Sequence, residues 1–334
     1  MALFTRVLFT IVGEHTLCVE CSDMGEPTAV APTAEGLRQS LSRLIPNFLK
    51  LINYIQPLTV NKEVLRVVLL ERGRQAGVNL ELDDVSDMRF EAGLAVAAEM
   101  YPLHPFDIQV HIGLFTWLGF IIDDLNAKLG PDLENFQSRF FRGDQQPGVI
   151  LQCFAGVLRS MTDYFEPVTA NLIVLSALAF VNSNAIELRQ DYQNIVPTRE
   201  AISWPYYFRD KEGLPEVYTY FCFYKDLCPD ISRFMPAAPE MGKFINLTND
   251  ILSFYKEEKA GEVRNYIHKR ALCLGHSPLQ VLESTMSDCA LAYTRTVAIF
   301  KGSHPYEELW HAYAMGYITM HFNTRRYLLS EILL

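Results

Sequence analysis

The sequence predicts an all-α protein, and three observations carry that prediction. Apolar residues recur at helical spacing over a series of helix-length segments. No segment alternates apolar and polar residues between hairpin-type turns. Glycine and proline stand where such segments should stop, as at Gly130-Pro131 and Gly261. A length of 334 residues allows one or two domains, and nothing between residues 35 and 334 has the composition of a linker. The expectation is therefore one helical domain over residues 34–334 after a loosely held arm, residues 1–33, which carries Gly13, Gly25, Pro27 and Pro32 among acidic and small residues.

The first helix should begin near Thr33, because Leu37, Leu41, Leu44, Ile45 and Phe48 fall on one face; Pro46 should break or kink it. Further apolar segments lie near 62–76, 86–100, 107–124, 148–166 and 169–190. The stretch from Gln109 to Asp124 is apolar nearly all round and ends in two aspartates, so the helix must be buried while its charged end meets a partner or reaches a mouth. On the face of Asp123 lie Phe120, Gly119, Thr116 and, one turn deeper, Phe115, an apolar wall beneath a carboxylate. Arg209, Glu212 and Gly213, with Pro215 just beyond, predict a helix break that leaves backbone carbonyls free. Val217, Tyr220, Phe221 and Tyr224 follow as an apolar, aromatic stripe, a pattern that serves a core more often than a ligand cavity. A helix from about Glu240 should end at Gly261, and a final one should span about Tyr306 to Leu333, with Met315, Ile318, Thr319, Phe322, Asn323 and Arg326 along one side.

The net charge of −10 argues against nucleic acid as a partner. It also repels phosphates: a carboxylate about 6 Å from a phosphate charge costs roughly 3 kcal/mol at an effective dielectric of about 20. Seven cysteines without regular spacing form no disulfide framework, and Cys18 with Cys21 is a lone C-x-x-C, so a reducing interior fits. Glu14 and His15 interrupt the apolar N-terminus before a signal core, and no uninterrupted apolar run reaches the roughly 18 residues of a membrane span. These features lead us to expect a cytoplasmic protein; a homodimer stays open.

The chemistry concentrates in Asn249–Glu257, N-D-I-L-S-F-Y-K-E. Asn249, Ser253 and Glu257 recur every fourth residue and share one helix stripe. Singly, each is an ordinary solvated helix residue. Together, an amide, a hydroxyl and a carboxylate make an oxygen cage for a hard divalent cation such as Mg2+, which takes phosphate oxygens in its remaining positions. Lys256 adds a positive charge beside them.

With Asp123-Asp124, the break at Arg209–Gly213 and the Arg326-Tyr327 pair, this stretch resembles the signatures of fungal-type class I terpene cyclases of the trichodiene synthase group, in the same order, over roughly residues 60–334. The resemblance implies a helical bundle around a deep aromatic cavity and a mouth where three Mg2+ ions, replaceable by Mn2+, hold an isoprenyl diphosphate, most simply farnesyl diphosphate. It assigns metal ligation to Asp123, Asn249, Ser253 and Glu257, and diphosphate contacts to Lys256, Arg209, Arg326 and Tyr327. Arg209 would sense the diphosphate, Glu212 would link, and Gly213 would offer its carbonyl to the developing cation. Phe115, Thr116, Gly119, Phe120, Val217, Tyr220, Phe221, Asn246 and Phe322 would contact the substrate, and Asp124 would pair with Arg209 on closure.

One departure stands out. The family's acidic motif usually ends in a further carboxylate, and D-D-L-N-A puts Ala127 there. Asp123 alone is expected to suffice. A chain-elongating prenyltransferase would need a second aspartate-rich motif where Asn249–Glu257 stands, and a non-catalytic helical scaffold would have Ala127 as its best support.

Overall fold

The computed structural model describes residues 34–78 and 84–333, and among these there is no β-strand. The predicted arm, with Cys18 and Cys21, lies outside the described residues. Helix α1 (Ala34–Leu51) buries Leu37, Leu41, Leu44, Ile45 and Phe48 as its pattern requires. It runs on through Pro46 without the expected break. The lost backbone bond is outweighed by apolar burial on both sides of the proline, where Ile45, Phe48 and Ile52 have almost no exposed surface.

After α2 (Glu63–Gln75), helix α3 (Asp84–Ala95) continues as a π-turn, Val96–Met100, whose five residues are all buried. The last long helix presses against this turn at Gly316, where a Cβ would overlap the Glu99 carbonyl, so only glycine permits the approach. Helix α4 (Phe106–Asp124) carries the two aspartates at its end; a short turn, Asn126–Leu129, separates it from Gly130, six residues beyond Asp124.

Helices α5 (Pro131–Arg142), α6 (Val149–Arg159) and α7 (Pro167–Glu187) follow. By length and composition α4 and α7 could cross a membrane, with mean hydropathies of 1.2 and 1.4. In this fold 67% and 61% of those stretches are buried against other helices, which accounts for their apolarity.

Helices α8 (Trp204–Glu212) and α9 (Pro215–Phe221) flank the predicted break. Helix α10 (Ala238–Ala260) carries the oxygen stripe and stops at Gly261, in the left-handed region at φ 72°. It packs between α9 and α12 (Pro278–Phe300), with α11 (Tyr266–Leu274) linking α10 to α12. Helix α13 (Tyr306–Asn323) is ten residues shorter than its apolar pattern suggests. Two 3-10 turns, Arg325–Tyr327 and Leu329–Glu331, replace its expected end, with Leu328 between them at φ 56°.

Candidate active site

The π-turn, α4, α7, the α8–α9 break, α10 and α13 surround a chamber of about 800 Å³. Asp123, Asn249, Ser253 and Glu257 all line it, as do Arg209, Glu212, Gly213, Lys256, Arg326 and Tyr327. Four segments far apart in sequence thus converge on one mouth.

On the α10 wall the stripe is held in place by hydrogen bonds. Ser253 Oγ donates to Glu257 Oε1 at 2.6 Å, and Asn265 Nδ2, from the loop after Gly261, donates to Glu257 Oε2 at 2.8 Å. Asn249 Oδ1 accepts from Arg209 Nη2 at 3.1 Å. Its amide nitrogen faces His321 Nε2 at 3.2 Å, while His321 Nδ1 lies 2.8 Å from the Tyr317 carbonyl. Burial pushes the His321 ring down to about 4, so it is neutral; Nδ1 carries the proton and Nε2 accepts. Among the described residues no three His, Cys, Asp or Glu side chains converge on a metal position. The donor set is instead amide, hydroxyl and carboxylate oxygen, which fits a hard cation such as Mg2+.

The α4 wall divides its two aspartates. Asp123 opens on the chamber, and the protein crowded around it, followed by the neighbouring charge of Asp124, raises its carboxyl to about 6. Asp124 is turned about 100° away and does not pair with Arg209. It accepts from Arg89 Nε at 2.8 Å and from Arg326 Nη2 and Nη1 at 2.9 and 3.1 Å. The rotation aims it at α3 and the 3-10 turn instead of at α8. Ala127 is exposed on the short turn beyond α4 and does not line the chamber.

Arg209 is buried against Asp250, its Nε donating to Oδ1 at 2.7 Å, and its Nη2 also reaches the Asn246 carbonyl at 3.3 Å. Burial raises the Asp250 carboxyl to about 7 against the pull of this guanidinium. Beyond α8 the chain passes Gly213 and then Leu214, held in the left-handed region at φ 54°, a conformation costing a leucine about 1 kcal/mol. Gly213 meets a steric demand: a methyl group there would overlap the Arg209 guanidinium and the Asn246 amide. Gly213→Ala should therefore displace Arg209 and lower activity at least tenfold while the circular dichroism spectrum stays helical. Wild-type turnover in this variant would show that the position of Arg209 is immaterial.

Acidity at the mouth is softer than composition suggests. Glu187, at the end of α7, lines the chamber, and burial together with Glu212 and Asp123 lifts its carboxyl to about 8. That upward shift lessens the negative charge Glu187 brings to the mouth.

Several expected substrate contacts lie behind the wall. Phe115 packs on Phe154 and Phe221 with ring centroids 5.2 Å away in both cases, and Thr116 is buried within reach of the Tyr218 hydroxyl. Val217, Tyr220 and Phe221 belong to the core, Tyr220 against Phe234 and Phe221 against Phe165. Phe322 packs on Tyr54. Asn246 is fully buried beneath Gly213. The face of α9 turned to the chamber carries Leu214 and Tyr218 instead, and α13 contributes Tyr317 and Met320. Helical spacing identifies an apolar stripe but cannot tell a core neighbour from a cavity, and here the richer stripe went to the core.

Gly119 and Phe120 do line the chamber. The Phe120 ring also lies 5.0 Å beneath the Arg326 guanidinium, so it touches the Asp124–Arg326 pair as well as the wall. Phe120→Ala should change the product mixture and lower turnover severalfold, whereas Phe120→Leu, which keeps most of the volume, should leave the products closer to wild type. Identical products from wild type and a stable Phe120→Ala protein, analysed by gas chromatography, would place the ring outside the reaction.

The backbone places this bundle in a known class. It superposes on linalool/nerolidol synthase from Streptomyces clavuligerus, solved in complex with 2-fluorogeranyl diphosphate, with a TM-score of 0.59 over 81% of this chain and 98% of that one. At 14% identity the likeness establishes the fold, that of the class I terpene synthases. Sequence carries the assignment further. Residues 84–333 match the family described as Trichodiene synthase (TRI5), and the chain belongs to it. Terpene synthase BipA of Cochliobolus sativus is 39% identical over 268 residues, 80% of this chain and 82% of its own. Longiborneol synthase CLM1 of Gibberella zeae is 32% identical over 274 residues, 81% of this chain and 80% of its own. The chain is accordingly a terpene synthase.

Proposed function

We propose that this terpene synthase ionises farnesyl diphosphate with Mg2+ and cyclises the resulting cation to a sesquiterpene hydrocarbon or alcohol, releasing diphosphate. The observation that carries the reading is the meeting of Asp123 with the Asn249, Ser253 and Glu257 stripe at the mouth of one aromatic chamber. Bound there, Mg2+ ions would neutralise the departing diphosphate; Asp123 would hold them from one wall and Asn249, Ser253 and Glu257 from the other.

The chain's own groups supply the rest. Lys256, Arg209 and Arg326 would contact the diphosphate oxygens as negative charge gathers on them, and Tyr327 would add a hydroxyl. Leaving for the diphosphate would cost Arg209 its bonds to Asn249 and Asp250, so the sensor is tied to the oxygen stripe before it acts. Phe120, Tyr218 and Tyr317, which line the chamber, would offer aromatic faces to the cation, which ends by losing a proton or taking up water. A chamber of about 800 Å³ falls within the range for small-molecule sites.

Ala127 is not among the residues that line the chamber, which favours the enzyme over a non-catalytic scaffold. Incubation with Mg2+ and farnesyl diphosphate should release diphosphate and volatile cyclic products, with geranyl diphosphate the poorer substrate. Excess chelator should abolish turnover, since the acidic mouth repels diphosphate without a cation. Turnover that persists in chelator would overturn the metal reading, and a preference for geranyl diphosphate would overturn the chain length.

A further inference from the structure

Resting on that reading, we propose that His321, on α13, is a positioning residue that holds Asn249 in its metal-binding orientation. Two contacts bracket the His321 ring, the Tyr317 carbonyl at 2.8 Å and the Asn249 amide at 3.2 Å. A carbonyl can only accept, so Nδ1 must carry the proton. Asn249 Oδ1 is held by a donor, Arg209 Nη2, so its Nδ2 faces Nε2, which must offer a lone pair and accept. A carboxamide whose nitrogen is fixed on one side must present its oxygen on the other. Oδ1 consequently points at the chamber, which Asn249 lines.

Arg209 Nη2 also orients this amide, through Oδ1 at 3.1 Å. Arg209, however, is the group that turns to the diphosphate. Of the two groups that fix the amide, His321 is the one that stays. It is fully buried, and its ring lies between Tyr317, with centroids 4.7 Å apart, and Tyr327, at 4.2 Å. It therefore joins the oxygen stripe of α10 to the Arg326-Tyr327 turn. Without it the amide is free to rotate by half a turn and offer nitrogen to the ion. Groups that orient a metal ligand in this way typically change metal affinity by about 10–100-fold when removed.

The test uses the full-length protein with Mn2+ and inorganic diphosphate, and reads Mn2+ affinity by electron paramagnetic resonance. His321→Phe should weaken Mn2+ binding at least tenfold at an unchanged thermal midpoint. His321→Gln, whose amide can accept from Asn249 and donate to Tyr317, should recover binding to within about threefold of wild type. A folded His321→Phe protein with wild-type affinity would overturn the role. A His321→Gln protein no better than His321→Phe would overturn the polarity argument. Should His321→Phe fail to fold, the wild-type protein labelled with 15N-histidine decides. One imidazole, absent from the spectrum of His321→Gln, should be the neutral tautomer protonated on Nδ1; protonation of that ring on Nε2 would overturn the proposal. Failure of the wild-type protein to bind Mn2+ at all would sink the metal reading and this role with it, a result distinct from loss in the variants alone.

Discussion

Glu257→Gln should reduce turnover on farnesyl diphosphate by about 10²–10³-fold, the scale on which a single charge-stabilising contact to a transition state counts. Helical content and thermal midpoint should change little. The structure explains why the protein should survive the change. Glu257 Oε1 accepts from Ser253 and Oε2 from Asn265. In the glutamine the amide nitrogen cannot face the Asn265 amide, another donor, so it must face Ser253, whose hydroxyl can reverse and accept. Both contacts persist. The lost elements are the negative charge and the oxygen beside Ser253, the two things a cation needs. Measuring turnover, thermal midpoint and Mg2+ dependence together checks this; a variant that melts early instead of losing activity would make Glu257 a structural residue.

Asp124→Asn should lower both stability and turnover, for a reason unrelated to metal ligation. The carboxylate sits between the guanidiniums of Arg89 and Arg326, and the three side chains are only 20%, 11% and 18% exposed. Removing the shared anion leaves two mostly buried cations with a neutral partner, a change that costs on the order of 3 kcal/mol. The thermal midpoint should fall by several degrees. Arg326 should lose its anchor, so turnover should drop at least tenfold. Asp123→Asn, by contrast, should cost more activity and almost no stability, since among the described residues no ion pair or side-chain hydrogen bond depends on Asp123. Equal thermal midpoints for wild type and Asp124→Asn would mean that the triad does not hold the turn.

The same triad sets a pH window. Burial by itself would raise the Asp124 carboxyl, but the bonds and charges of Arg326 and then Arg89 outweigh it and hold the group below its ordinary value of 3.8. A carboxyl that titrates lower when folded stabilises fully above its unfolded value and loses that contribution as pH falls through the folded one. The triad should therefore stabilise the protein fully at pH 5–8 and fail only below about pH 4.

Much of this was legible from residue order. The oxygen stripe on α10 depends only on 3.6 residues per turn, and the helix stop at Gly261 only on the freedom of glycine at positive φ. The break at Gly213 followed from Arg209, Glu212 and Pro215 in one short stretch. Other elements carried readable signals that apolar periodicity alone passed over. Helix α12 opens with a capping box between Ser277 and Gln280, and α5 with a proline after Gly130 and a left-handed Gly143 at its end.

The sequence by itself determined the class of fold and the stripe of oxygen-bearing side chains on one helix face, because helix geometry and donor chemistry are local properties. Tertiary structure alone decided what each of those residues meets. Asp124 is given to Arg89 and Arg326, Arg209 to Asp250, and Asn249 to His321, partners 35 to 202 residues apart in the chain. It also decided that Tyr218, and not Tyr220, faces the chamber. The physical reason is common to all of them. A side chain's spacing specifies its direction around its own helix axis, whereas the group waiting there depends on how neighbouring helices cross, and no local pattern encodes that crossing.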